Sequence, residues 1–184
     1  MIYKIDLRSG KLRSNEQQPW VSTKPGSGPR HFVFHPNGRF AYLVNELDST
    51  VVAYAYNINN GSLRELQIIS TLPRDFKGIN YAADIHMSPS GRFLYVSNRG
   101  HDSLAIYQVD EEMGTLKNVG YVHTQGKWPR SFAIDPSGKF LMVANQQSNN
   151  LVSFQVNEEN GLLKPAEYEA QVPAPACVKI ISFM

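Results

Sequence analysis

The sequence holds a single cysteine, Cys177, in 184 residues, so no internal disulfide can brace it. That fits a reducing compartment, and a cytoplasmic location is the expectation. No apolar run approaches the roughly 18 residues that a membrane-spanning helix needs. The opening MIYKIDLRSGK also lacks the apolar stretch of a secretory signal. Neither sign of charge dominates: 18 Lys and Arg face 16 Asp and Glu, a formal net charge of +2, with no run of like charges. Charge therefore makes no case for nucleic acid or an anionic membrane as partner. The five histidines show no ligand spacing backed by carboxylates, so neither metal nor cofactor is expected. Nucleophile-elbow, phosphate-loop and dinucleotide motifs are absent too. Helical periodicity is missing throughout.

What the chain does have is repetition. HFVFHPNGRFAYLVNEL (31–47), DIHMSPSGRFLYVSNRG (84–100) and SFAIDPSGKFLMVANQQ (131–147) are versions of one another. Each carries P-x-G-[RK]-F with an asparagine five residues after the Phe. Pro36, Pro89 and Pro136 stand 53 and 47 residues apart. A second turn signal follows each unit: Asn60-Gly61-Ser62-Leu63, Met113-Gly114-Thr115-Leu116 and Asn160-Gly161-Leu162-Leu163. It occurs once more at Ser9-Gly10-Lys11-Leu12.

One unit reads as four strands. Arg30–His35 alternates, with Phe32 and Phe34 on one face. Pro36-Asn37-Gly38 is a turn in which Pro presets φ and Gly accepts the positive φ that follows. Arg39–Asn45 and Val51–Tyr56 are rich in aromatic and β-branched residues. Asn59-Asn60-Gly61 predicts a primed hairpin turn, and Leu63–Ser70 closes the unit. Four strands per repeat of this length predict an all-β fold, a β-propeller of four-stranded antiparallel blades. The rival β-sandwich does not explain the recurring turn chemistry.

Full blades are expected at 29–73, 82–125 and 129–172, with partial blades at 1–24 and 176–184. Closed propellers have four to eight blades. An incomplete arc of three full and two partial blades is therefore expected to be a fragment, a truncated product or part of an assembly. Its open blade edges invite self-association.

Constant positions build the frame, and variable ones mark a site. Ten residues past each turn proline stand Glu46, Arg99 and Gln146; six before it stand Arg30, Ala83 and Arg130. The start of one antiparallel strand lies beside the end of the next. Both sets are thus predicted at one mouth of the central channel, as a binding site or as rim salt bridges. His31 adjoins Arg30. Asn45, Asn98 and Asn145 each end a second strand and recur with the frame, and Asn45 and Asn98 are also counted in the candidate set. His86, aligned with Val33, is expected to be a satisfied core histidine. His35 is expected to bond locally beside its turn, His101 and His123 to lie on a loop and an outer strand, and Trp20 and Trp128 to pack blades.

GSGPRHFVFHPNGRFAYLVNELDSTV (26–51), SPSGRFLYVSNRGHDSLAIY and GKWPRSFAIDPSGKFLMVANQQSNNLVSFQV resemble the seven-bladed lactonase family. That family includes propeller-type 6-phosphogluconolactonases and a fungal 3-carboxy-cis,cis-muconate lactonising enzyme. The resemblance implies the C-terminal half of a longer protein and a small anionic sugar lactone as substrate, 6-phospho-D-glucono-1,5-lactone. Arg30 and Glu46 fall on the motifs that carry the family's arginine and glutamate, and Arg99 matches a further arginine. The family's histidine belongs to an upstream blade and has no counterpart here. Catalytic roles thus fall to Glu46, Arg30 and Arg99, with His31, Asn45, Asn98, Arg130 and Gln146 as substrate-binding residues. Arginines would grip an anion or a developing oxyanion, while Glu46 activates or orients water. Lactone formation by a muconate-type cycloisomerase, non-catalytic binding at the rim and an inactive fragment are the alternatives.

Overall fold

The computed structural model describes residues 1–181, and no helix occurs among them. β1 (Tyr3–Ile5) and β2 (Leu12–Ser14) form a short ribbon. β3 (Pro29–Phe34), β4 (Phe40–Asn45), β5 (Thr50–Asn57) and β6 (Ser62–Ser70) form the first full blade. β7 (Tyr81–Met87), β8 (Phe93–Arg99), β9 (Ser103–Val109) and β10 (Leu116–His123) form the second. β11 (Pro129–Ile134), β12 (Phe140–Asn145), β13 (Asn150–Val156) and β14 (Leu163–Gln171) form the third. Every neighbouring pair is antiparallel and sequential, the meander that the repeats predict. The innermost strands β3, β7 and β11 pack side by side and line the channel.

Two details differ from expectation. Of the Asn59-Asn60-Gly61 loop only Gly61 takes positive φ (74°), and its N–H donates to Asn57 O at 2.7 Å. The primed turn is replaced by a longer loop closed by glycine, with Asn57 Oδ1 accepting from Asn59 N at 3.0 Å. Residues 176–181, expected to open a new blade, join no ladder. An innermost strand needs the second strand of its own blade as hydrogen-bonding partner, and none is present among the described residues. The rest of that expected strand, 182–184, lies outside the described residues.

Packing follows the period-two alternation of the middle strands. Leu94 and Val96 of β8 point into a cluster with Tyr42, Val44 and Val51 of the first blade. Phe93 and Tyr95, on the other face of β8, join Phe132, Leu141 and Phe154 of the third. Every residue of β8 is consequently buried. The same joint recurs at the outer hairpins: Tyr42 Oη donates to Gly114 O (3.2 Å) and Tyr95 Oη to Gly161 O (3.0 Å).

The partial blade docks in register with this scheme. Gln18 exchanges hydrogen bonds with Leu63 (2.9 and 2.6 Å), as Gln67 does with Leu116 (3.0 and 2.7 Å). Only its outer strands are present, so Phe32 and Phe34 stay exposed beside a cavity of about 750 Å³.

Candidate functional site

Each innermost strand begins with an irregularity that re-aims its first side chains. In β3 the register passes from Pro29↔Asn45 to His31↔Val44, which leaves Arg30 as the extra residue. β11 repeats this at Arg130, between Pro129↔Asn145 and Ser131↔Ala144. In β7 the shift falls between Ala82 and Ile85, at Ala83 and Asp84. Bulges of this kind expel a side chain from the ladder and turn it toward the channel mouth.

There Arg99 Nη2 donates to Glu46 Oε1 at 2.5 Å, and Arg30 Nε lies 3.6 Å from Glu46 Oε2. Both oxygens of Glu46 thus face a guanidinium. Arg99 is buried, bonds Tyr81 O (3.3 Å), and sits 5.4 Å from the Trp128 ring centroid and 5.9 Å from that of Tyr81. Trp128 packs across the blade joint against Tyr81 (6.0 Å between centroids) and Arg99; it is held at φ 64° with its backbone N–H on Asp102 Oδ1 (2.8 Å). Burial first, and the Arg99 charge next, push the Arg30 guanidinium below its ordinary range, while Glu46 opposes them.

A second group adjoins through Arg30. Asp84 is buried and accepts from His31 Nδ1 (2.7 Å), Ile85 N (3.0 Å), Phe132 N (3.2 Å) and His86 Nε2 (3.3 Å). Burial alone would raise its carboxyl; the His31 and His86 hydrogen bonds, the His86 charge and the Phe132 N–H outweigh it and hold the group well below the usual carboxylate range. These side chains line a cavity of about 790 Å³ with Arg30, Arg130, Ser131, Cys177 and Lys179. His86 stands on this wall, edge-on to Phe132 (4.8 Å between centroids), rather than in the sealed core expected for it.

A group with a lowered folded pKa stabilises above its unfolded value, about 3.9 for Asp, and loses that contribution as pH falls toward the folded value. Asp84→Asn should therefore cost about 2–3 kcal/mol at pH 7, by analogy with hydrogen bonds to charged groups. The gap between the urea midpoints of the two chains should narrow progressively as pH falls from about 4 to 2.

Residues 1–180 match the family described as "Lactonase, 7-bladed beta-propeller". The chain belongs to this lactonase family. Among curated relatives, 6-phosphogluconolactonase of Bacillus subtilis is 41% identical over 134 residues, covering 73% of this chain and 38% of the relative. A crystal structure of a protein from Lactobacillus plantarum superposes with TM-score 0.91 at 34% identity, over 98% of this chain and 51% of that one. The Pseudomonas aeruginosa periplasmic gluconolactonase PpgL gives TM-score 0.83 at 40% identity, over 90% and 45%. The chain thus spans about half the length of these proteins or less.

In this lactonase arc the sequence-derived candidates divide. Glu46 bridges Arg30 and Arg99; of these three only Arg30 lines the cavity, together with His31 and Arg130. Asn45 and Asn98, expected on the substrate, are buried in the frame instead. Asn98 Oδ1 accepts from Thr71 Oγ1 (2.7 Å) and Asn80 Nδ2 (3.1 Å), and its Nδ2 donates to Thr71 O (2.7 Å). Asn45 Nδ2 donates to Thr50 Oγ1 at 3.0 Å. Asn45 ties the end of β4 to the start of β5, whereas Asn98 ties the end of β8 back to the connection from the preceding blade, as Asn145 does through Thr124 O (2.9 Å). Gln146 lies one blade further round and does not line the cavity among the described residues. Sequence reasoning missed Asp84. Its signal was the column five residues before each proline, which holds His31, Asp84 and Ser131 and varies as sharply as the columns chosen.

Proposed function

We propose that this protein acts on a small anionic sugar lactone, hydrolysing 6-phospho-D-glucono-1,5-lactone to 6-phosphogluconate. The observation that carries this reading is the Arg30–Glu46–Arg99 cluster, whose Arg30 also lines a cavity together with Arg130 and Lys179. The 6-phosphogluconolactonase of B. subtilis supports it. Hydrolysis requires water to add to the lactone carbonyl, and an oxyanion forms there. Arg30 and Arg99 are permanent cations with planar donor faces suited to that charge. Glu46 spans the two and fixes their spacing. Arg130 and Lys179 have no acidic partner among the described residues and supply charge for the phosphoryl group. The single cysteine, exposed at Cys177, accords with a cytoplasmic setting, although the Pseudomonas neighbour is periplasmic.

The test is the decay of freshly made 6-phospho-D-glucono-1,5-lactone with and without the full chain, beside glucono-1,5-lactone. Acceleration of the phosphorylated substrate above its spontaneous rate is expected. Equal rates with and without protein would refute the hydrolase reading; preference for the sugar lacking phosphate would reassign the substrate.

A further inference from the structure

We infer that His31, aligned by Asp84, is the base that takes the proton from the attacking water. This rests on the hydrolase reading and assigns that reaction a catalytic residue within the chain itself.

The geometry narrows the choice of base. Glu46 has one oxygen on Arg99 and the other facing Arg30, and it does not line the cavity that His31 lines. His31 differs. An ionised Asp84 can only accept, so the 2.7 Å contact requires the proton of neutral His31 on Nδ1. Nε2 then carries the free lone pair. Arg30 Nη1 lies 3.1 Å from Nε2 and 3.4 Å from Nδ1. An in-plane approach to both nitrogens is blocked by the carbon between them, so the guanidinium lies over the ring face. Arg30 is the polar group at Nε2 among the described residues, and the open cavity that His31 lines gives water access to the ring. The His31 side chain is 45% exposed and lines the cavity, whereas its anchor Asp84 is 7% exposed. Four N–H groups hold the Asp84 carboxylate still. An oriented imidazole backed by a buried carboxylate is the arrangement that general-base catalysis needs.

The step balances. Water's oxygen bonds to the lactone carbonyl carbon as its proton passes to His31 Nε2. The oxyanion rests against Arg30, which lines the same cavity as His31. Its collapse breaks the ring C–O bond, and the leaving alkoxide takes the proton back from Nε2. Asp84 is a positioning residue and keeps its charge throughout.

The charged groups facing His31 are Arg30 on its own strand, Glu46 beyond Arg30, Asp84 and His86 on β7, Arg130 on β11, and Cys177 and Lys179 from the segment after β14. The test measures the pH–rate profiles of the full chain, His31→Gln, Asp84→Asn and Glu46→Gln. It adds ¹⁵N spectra of the histidine rings. The unaltered chain should gain activity with rising pH along one ionisation. His31→Gln should abolish that limb and lower kcat by about 10²–10⁴-fold, with little change in KM. Asp84→Asn should lower kcat and shift the His31 ring away from the Nδ1–H tautomer. A His31→Gln chain that keeps its turnover and its limb overturns the assignment, as does a limb lost only in Glu46→Gln. If the unaltered chain fails to accelerate the reaction, the hydrolase reading fails first. The placement is then read from 6-phosphogluconate titration: a moving His31 Nε2 resonance sustains it, and an unmoved one overturns it.

Discussion

A Glu46→Gln chain is expected to lose about 10²–10³-fold in turnover of 6-phospho-D-glucono-1,5-lactone, the scale seen when preorganised charge stabilisation is disturbed. Gln keeps the shape and one acceptor for Arg99 but removes the charge that holds two guanidiniums together. Arg30 and Arg99 then repel each other without compensation, and Arg130 adds to that field. Stability should suffer far less, by about 1–3 kcal/mol. Arg99 retains Tyr81 O, Ala82 O and the faces of Tyr81 and Trp128, so its buried charge keeps partners. Glu46 itself is 32% exposed, so solvent screens much of what the pair contributes. Initial rates at saturating lactone and urea midpoints of both chains separate the two effects. Undiminished turnover would remove Glu46 from the reaction; a collapse in stability equal to the loss in rate would make its role structural.

How much of this was legible beforehand follows from how a repeat encodes structure. Strand positions were visible because each unit repeats its turn chemistry, and Pro, Gly and Phe must recur wherever the backbone recurs. The meeting of Arg30, Glu46 and Arg99 was visible because one residue ends a strand where another begins. The bulges were not visible: nothing in Gly-Pro-Arg or Trp-Pro-Arg states that the arginine leaves the ladder, since that depends on pairing with Asn45 and Asn145. The asparagines misled for the opposite reason. A residue constant at every repeat serves the frame, and Asn98 shows it with four polar contacts inside the protein. Asp84 and His86 escaped although they too differ from their repeat counterparts, Ser131 and Ala133 in the third blade. Their chemistry appears only when β3, β7 and β11 stand side by side.

That contrast between constant position and changing surroundings gives the largest expected stability difference. Phe93 and Phe140 occupy the same place, four residues after the turn proline. Phe93 is 2% exposed, with its ring packed on Gly161; a Cβ there would lie 2.4 Å from Phe93 Cδ1. Phe140 is 46% exposed, because among the described residues no further sheet packs on that face of β11–β14. Phe93→Ala should therefore cost about 3–5 kcal/mol, combining lost transfer energy with the cavity left between two blades. Phe140→Ala should cost under about 1 kcal/mol, as at an open surface. Phe40, 5% exposed against Gly114, should follow Phe93. Urea unfolding of the three variants with a shared m-value measures this directly. If Phe140→Ala proves as costly as Phe93→Ala, the open face of the third blade is covered in solution. The sedimentation mass of the unaltered chain would then exceed one copy, through the exposed sheet edges and faces that an incomplete propeller presents.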